Sequence, residues 1–308
     1  MDDTVSVVRL EPLGVISARG PDARRFLNGQ LSRDVLRLGA DRVELAGLHN
    51  PQGRTLALLR VVPLGEADVA LVLPRERVPT VVTQLRRFVL RARLQITDES
   101  ADWTLLGAWP AHGAETALAG LPEPGAEVGA AVSRGGRHAW RHSADGRLML
   151  LVPAATGSAR SVAADSEGGA AWAAADVAAG LPQVHESTAG AFVAQMLNLD
   201  VLGGISFDKG CYTGQEVIAR AHYRGKVKRR LQRFATRSVA PAQLLPGSQW
   251  TTTDSRVLRV VEVARRPDGS AEFLAVAPWP GSSAAEVDAP AVETLACDDL
   301  PLPYALPD

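Results

Sequence analysis

Cys211 is the residue of this chain best placed for covalent chemistry. It stands in Gly203-Gly204-Ile205-Ser206-Phe207-Asp208-Lys209-Gly210-Cys211-Tyr212-Thr213-Gly214-Gln215-Glu216, a run unlike the rest of the sequence. Thr213 and Glu216 have the spacing of a capping box, which predicts a helix from Gly214 to Tyr223 with Val217, Ile218 and Ala221 on one side. Cys211 then lies just ahead of a helix start, where unpaired backbone N–H groups favour an anion. Lys209 adds a cation two residues earlier. Both features favour the thiolate, the form that attacks, is oxidised or binds metal. The alternative is a small buried hydrophobe, a common fate of a lone cysteine. Gly203, Gly204, Gly210 and Gly214 weigh towards a ligand-binding loop, because glycine allows positive φ and close backbone approach.

The remaining chemistry is sparse. Cys297 is the second of two cysteines, so neither a disulfide framework nor a spaced metal set exists, and a reducing cytoplasm is the expected compartment. His112, His138 and His142 lack thiol or acidic partners at ligand spacing, and no metal site is expected. Arg220, His222, Arg224, Lys226, Lys228, Arg229 and Arg230 form a basic run. It reads as a solvated helix end and linker, or as a polyanion site for a glutamate tail, ahead of RNA, because only Tyr223 is interleaved with it. Lys+Arg 33 against Asp+Glu 34 leaves no overall charge to draw nucleic acid or membrane, and no apolar run is long enough to span a bilayer.

The elements that must position Cys211 alternate between strand and helix patterns, which predicts an α+β fold rather than a doubly wound parallel sheet. Strands are expected at Val5–Leu10, Leu13–Ser17, Val43–His49, Arg54–Val62 and Val69–Leu73, the third and fourth joined by the turn Asn50-Pro51-Gln52-Gly53. A short helix after Gly20-Pro21-Asp22 carries Phe26, Leu27 and Leu31. Val78, Val81, Val82, Leu85, Phe88 and Val89 follow a helical period. Further strands are expected near 94–97 and 103–108, a helix at His112–Ala119, and a hairpin of 137–142 with 148–152. The Ala-, Gly- and Ser-rich stretch 154–179 reads as a small-residue helix with a loop. Trp172 within it is either a core anchor or a ligand-lining aromatic. Beyond Leu231 short alternating strands mark a separate β domain. No glycine-rich phosphate loop follows a strand.

Lys209-Gly210-Cys211-Tyr212-Thr213-Gly214-Gln215-Glu216 resembles the K-G-C-[YF]-x-G-Q-E signature of the YgfZ family. Gly180-Leu181-Pro182, Asn198-Leu199-Asp200, Ala219-Arg220 and Arg224-Gly225 match its flanks. Phe26-Leu27-Asn28-Gly29-Gln30-Leu31, Gly53 and the ending Pro301-Leu302-Pro303-Tyr304 extend the likeness over nearly the whole chain. The resemblance implies a fold like the glycine-cleavage T protein: subdomains around a central folate channel plus a C-terminal β-barrel. It divides the chain into 1–230, with an inserted α+β subdomain about 63–152, and 231–308. It implies tetrahydrofolate or a related reduced folate as ligand, with Trp172, Tyr212, Gln215, Glu216 and Arg220 as contacts and Cys211 with Lys209 as the chemically active pair. The implied role is support of iron–sulfur enzymes or their assembly machinery, tRNA-modifying ones included, without direct tRNA binding.

The chain also departs from its relatives. The T protein has an aspartate just after the hairpin containing Gly53, where this chain reads Arg54-Thr55-Leu56-Ala57-Leu58-Leu59 with no carboxylate. That speaks against the alternative activity, folate-dependent aminomethyl transfer or demethylation. A folate-linked tryptophan is missing from the segment matching Leu13, and Ala178 stands where T-protein relatives place a pterin-reading glutamate. A module that has lost folate and works through protein contacts is the third reading. Cys211 is left as nucleophile, redox group or transient cluster ligand.

Overall fold

The structure, a computed structural model, describes residues 7–109, 121–156, 162, 165–225, 227–237, 243–266, 268–279 and 293–307. The expected helix at His112–Ala119, with His112, and Lys226 of the basic run lie outside them. The chain divides into two compact units. The first comprises Met1–Leu48, Ala57–Gly169 and Gly203–Thr213, and the second His49–Leu56, Ala170–Leu202 and Gly214–Asp308.

The first unit is built on two five-stranded sheets. One has the order β3 (Glu44–His49), β4 (Thr55–Pro63), β5 (Val69–Pro74), β2 (Leu13–Arg19) and β6 (Gln95–Asp98). The central β5 is buried at every position, so its residues read as an unbroken apolar run rather than an alternation. The helix α1 (Ala23–Gln30) follows β2, and α2 (Val78–Arg86) follows β5 with Val78, Val81, Val82 and Leu85 buried. Phe88, expected on that apolar face, is 48% exposed. The helix tightens at its end, where Phe88 N–H donates to the Leu85 carbonyl and Val89 N–H to that of Arg86, and this rotates Phe88 off the buried side.

The other sheet has the order β1 (Val7–Arg9), β7 (Trp103–Ala108), β10 (Leu148–Pro153), β9 (Arg137–Arg141) and β8 (Ala131–Arg134), antiparallel throughout. Leu106, Ala139, Leu148, Leu150 and Val152 form its core. The 137–142 hairpin is present as expected. Its outer neighbour β8 carries only Ala131 buried, too weak a pattern to read from sequence.

In the second unit the small-residue stretch forms α3 (Ser166–Ala178), and α4 (Gln215–Arg224) precedes the C-terminal strands. Six strands, in the order β15 (Thr294–Leu295), β12 (Gln249–Thr252), β13 (Val257–Arg265), β14 (Ala271–Pro278), β11 (Arg229–Thr236) and β16 (Asp298–Leu300), curl into a half-barrel. A register shift between Val260 and Glu262 adds local twist to β13. The half-barrel encloses Phe234, Trp250, Leu258, Val260 and Phe273, with the Phe234 and Phe273 rings stacked at 5.4 Å. The largely antiparallel sheets, with β12 and β15 their one described parallel pair, and the interspersed helices are the α+β arrangement expected from the sequence.

Candidate functional site

In the first unit the Gly203–Thr213 loop is fastened to the chain that leaves α1. Ser32 Oγ donates to the Gly204 carbonyl at 2.6 Å and accepts from Gly47 N–H at 2.8 Å. Ser206 N–H donates to the Ser32 carbonyl at 2.9 Å, and Asp34 N–H to Ser206 Oγ at 3.0 Å. Lys209 completes the attachment. Its ammonium donates to the carbonyls of Asn28 (2.7 Å), Leu31 (2.7 Å) and Arg33 (2.8 Å). The last carbonyls of a helix have no partner within it, and a cation there also meets the negative end of the dipole. Lys209 therefore closes α1 from a distant part of the sequence, with all three of its donors engaged. Charged hydrogen bonds contribute about 1.5–3 kcal/mol each, so the loop's shape depends on this side chain.

Desolvation brings the Lys209 ammonium down to about 8, with the Asp34 carboxylate acting in the opposite sense. The ammonium also lies 5.0 Å from the centroid of the Tyr212 ring. Tyr212 is 7% exposed, and burial lifts its phenol to about 12. Cys211, between these two held residues, is exposed. The small buried hydrophobe is thereby excluded. In the sequence Lys209 reads as an activating charge for the thiol, whereas in the structure its protons go to the end of α1.

In the second unit α4 does not start with the expected capping box. Its N-cap is Gly214, at φ 83°, with no side-chain cap bond. Steric contact explains the substitution of glycine for a capping hydroxyl. A Cβ on Gly214 would meet the Asn50 carbonyl oxygen at 2.6 Å and Gly53 Cα at 3.0 Å. Gly53, at φ 71°, is pressed in turn against Val217, whose Cβ would lie 2.8 Å from an added methyl. The Asn50–Gly53 turn and the start of α4 thus touch through two glycines. Gln195 Nε2, fully covered, donates to the Ile218 carbonyl at 2.7 Å. Gln215 is half-buried, Glu216 and Arg220 are exposed, and Trp172 on α3 is 5% exposed. The structure so groups Lys209, Cys211 and Tyr212 in the first unit and Trp172, Gln215, Glu216 and Arg220 in the second.

Two sets of supporting residues escape a reading of the sequence. Ser32 and Ser206 are ordinary hydroxyls until a partner 172 residues away is known. Arg230, read as part of a solvated run, is 4% exposed. Its guanidinium grips Asp200 through two bonds of 2.9 Å and donates to the Gln195 carbonyl at 3.1 Å. Asn198 bridges the Leu231 carbonyl and Tyr304 Oη, and Tyr304 donates to the Gly180 carbonyl at 2.8 Å. The segment carrying Tyr304 therefore packs back on its unit.

His49, at the foot of the Asn50 turn, has no exposed surface, and burial holds its imidazole down to about 3. The unfolded chain takes up a proton near pH 6.5 that the folded chain refuses. Stability is therefore complete above that pH and falls as the pH drops towards the folded value. Between pH 7 and 5 the loss from this group is about 2 kcal/mol. Burial lowers His138 as well, with the same sign. Urea midpoints at the two pH values should show the fall, and His49→Leu should flatten it; equal midpoints in the parent protein would reject the assignment.

Among the described residues no group of three or more His, Cys, Asp or Glu is arranged to hold a metal, and no helix is long and apolar enough to cross a membrane. The fold is that of the glycine cleavage system aminomethyltransferase T from Bartonella henselae, with a TM-score of 0.65 at 16% identity over 89% of this chain and 78% of that one. No family model matches the chain. The tRNA-modifying protein YgfZ of Edwardsiella ictaluri is 36% identical over 74% of this chain and 70% of its own length. That of Serratia proteamaculans is 30% identical over 86% and 82%, and that of Yersinia pestis (strain Pestoides F) 29% identical over 98% and 93%. Identity at this level over most of both chains, together with the fold, places the chain in the family of the tRNA-modifying protein YgfZ.

Proposed function

We propose that the protein binds tetrahydrofolate or a related reduced folate and acts as an accessory factor for iron–sulfur enzymes, those that modify tRNA among them. The observation that carries this reading is the Gly203–Thr213 loop, which spends Lys209, Ser32 and Ser206 on holding its own backbone and leaves the Cys211 thiol exposed. A loop fixed by this many hydrogen bonds around one exposed thiol is built to present that thiol. The names of the relatives support a role linked to tRNA modification, and the aminomethyltransferase fold supports a folate ligand.

The donor set of the second unit fits a folate chemically. Trp172, 5% exposed, is the flat aromatic that would border a pterin, Gln215 and Glu216 carry an amide and a carboxylate that suit its N–H groups, and Arg220 suits the carboxylates of the glutamate tail. In the first unit, Lys209 acts as the positioning residue of the Cys211 loop. Aminomethyl transfer is not proposed. The strand Thr55–Pro63 carries no carboxylate, and Ala57 within it is fully buried among apolar neighbours.

Tetrahydrofolate should quench tryptophan fluorescence in the parent protein, and Trp172→Phe should lose most of that response while keeping an aromatic in the core. Equilibrium dialysis that finds no reduced folate bound at millimolar concentration would sink the reading.

A further inference from the structure

We infer that the turn between α2 and β6 docks on a partner protein, against an acidic surface with an apolar pocket. The partner class, an iron–sulfur enzyme, rests on the accessory reading above. Leu90 is 86% exposed, and Phe88, two residues before it, is 48% exposed. Such side chains are stabilised wherever a partner takes them out of water. Between Thr80 and Thr97 the sequence holds four arginines, all exposed, and no carboxylate, on a chain of net charge −1. Arg87 and Arg91 flank the two apolar residues, and among the described residues neither makes an ion pair. Elsewhere in the same unit Arg19, Arg33 and Arg37 each hold a carboxylate.

The turn is fixed at both ends. Arg86 donates to the Ile96 carbonyl through Nε at 2.9 Å and Nη2 at 2.6 Å. The Arg93 N–H donates to the Asp22 carboxylate at 2.8 Å. Anchors of this kind set the exposed side chains before a partner arrives and lower the cost of ordering them. An apolar centre within a charged rim is the anatomy of a protein interface, and unpaired arginines at that rim call for carboxylates opposite. A nucleic acid would use the arginines and leave Leu90, the more exposed of the two apolar side chains, idle. A bilayer surface holds a protein through a broad apolar face. Two adjacent side chains match a pocket on a folded partner instead.

The test uses the full-length protein in a cell lacking the native factor, with iron–sulfur-dependent tRNA thiolation as the readout. Leu90→Asp, and separately Arg87→Glu with Arg91→Glu, should lower thiolation at least roughly fivefold. Leu90→Met, and Arg87→Lys with Arg91→Lys, should stay near the parent. Folate binding, Cys211 alkylation and thermal unfolding of the purified variants should match the parent, which keeps docking distinct from ligand binding, thiol chemistry and folding. A photocrosslinking amino acid at position 90 should join the protein to an iron–sulfur enzyme identified by mass spectrometry, and Arg87→Glu with Arg91→Glu should remove that adduct. Undiminished thiolation with Leu90→Asp, or an adduct without an iron–sulfur enzyme, would overturn the proposal while leaving the accessory reading intact. Binding to phosphatidylglycerol vesicles or to a tRNA transcript that Leu90→Asp abolishes would overturn it in favour of a membrane or of RNA. A parent protein that restores no thiolation would refute the accessory reading itself, and the partner class with it.

Discussion

Cys211 should be alkylated at about pH 8 at least roughly a hundredfold faster than Cys297. Cys211 is exposed, whereas Cys297 is half-buried against the half-barrel core. Burial, and after it the Asp299 carboxylate, pushes the Cys297 thiol up to about 11. At that value only about one molecule in a thousand carries the reactive thiolate near pH 8. Iodoacetamide labelling followed by peptide mass spectrometry gives both rates in one experiment, and comparable rates would refute the contrast. Cys211→Ser should fold normally, since the side chain makes no contact on which the loop depends, yet fail to support iron–sulfur-dependent tRNA thiolation in a cell lacking the native factor. Full complementation would shift the importance of the loop from the thiol to the backbone that Lys209 holds.

Asp200→Ala should destabilise the protein by about 3–5 kcal/mol, the usual cost of leaving one member of a buried ion pair without its partner. The side chains of Arg230 and Asp200 are only 5% and 11% exposed, so water cannot replace the lost carboxylate at the guanidinium. The cost is a property of the orphaned cation more than of the bond. Combining Arg230→Met with Asp200→Leu should therefore recover much of the loss. Urea unfolding of the single and double variants separates the two explanations, and a loss below about 1 kcal/mol for Asp200→Ala would mean that the pair is solvated.

Much of this architecture is legible in the sequence, for identifiable reasons. The strands Trp103–Ala108 and Val69–Pro74 are apolar runs bounded by turn residues, and they sit where the pattern puts them. The Cys211 loop stands out because glycines, a thiol and a charge converge there. What the sequence hides is partnership over long separations. The side chain of Lys209 reads as a neighbour of Cys211, but its acceptors are carbonyls of residues 28, 31 and 33, which carry no residue-type signal at all. Arg230 is misread for the same reason, since a run of like charges says nothing about which member turns inward to Asp200. The capping box fails because local hydroxyl chemistry yields to a steric constraint imposed by the Asn50–Gly53 turn.

The meeting of Gly53 and Gly214 also governs which changes can compensate one another. At Gly53 the obstacle is a side chain, since an added methyl collides with Val217 Cβ, so only a third glycine at that helix position would make room. Relief of that kind weakens α4 by about 1 kcal/mol. At Gly214 the obstacles are the carbonyl of Asn50 and the backbone of Gly53, which no exchange of side chains removes. In a pairwise saturation library the first position therefore has at most one steric suppressor and the second has none, and a designer recasting this loop must keep Gly214.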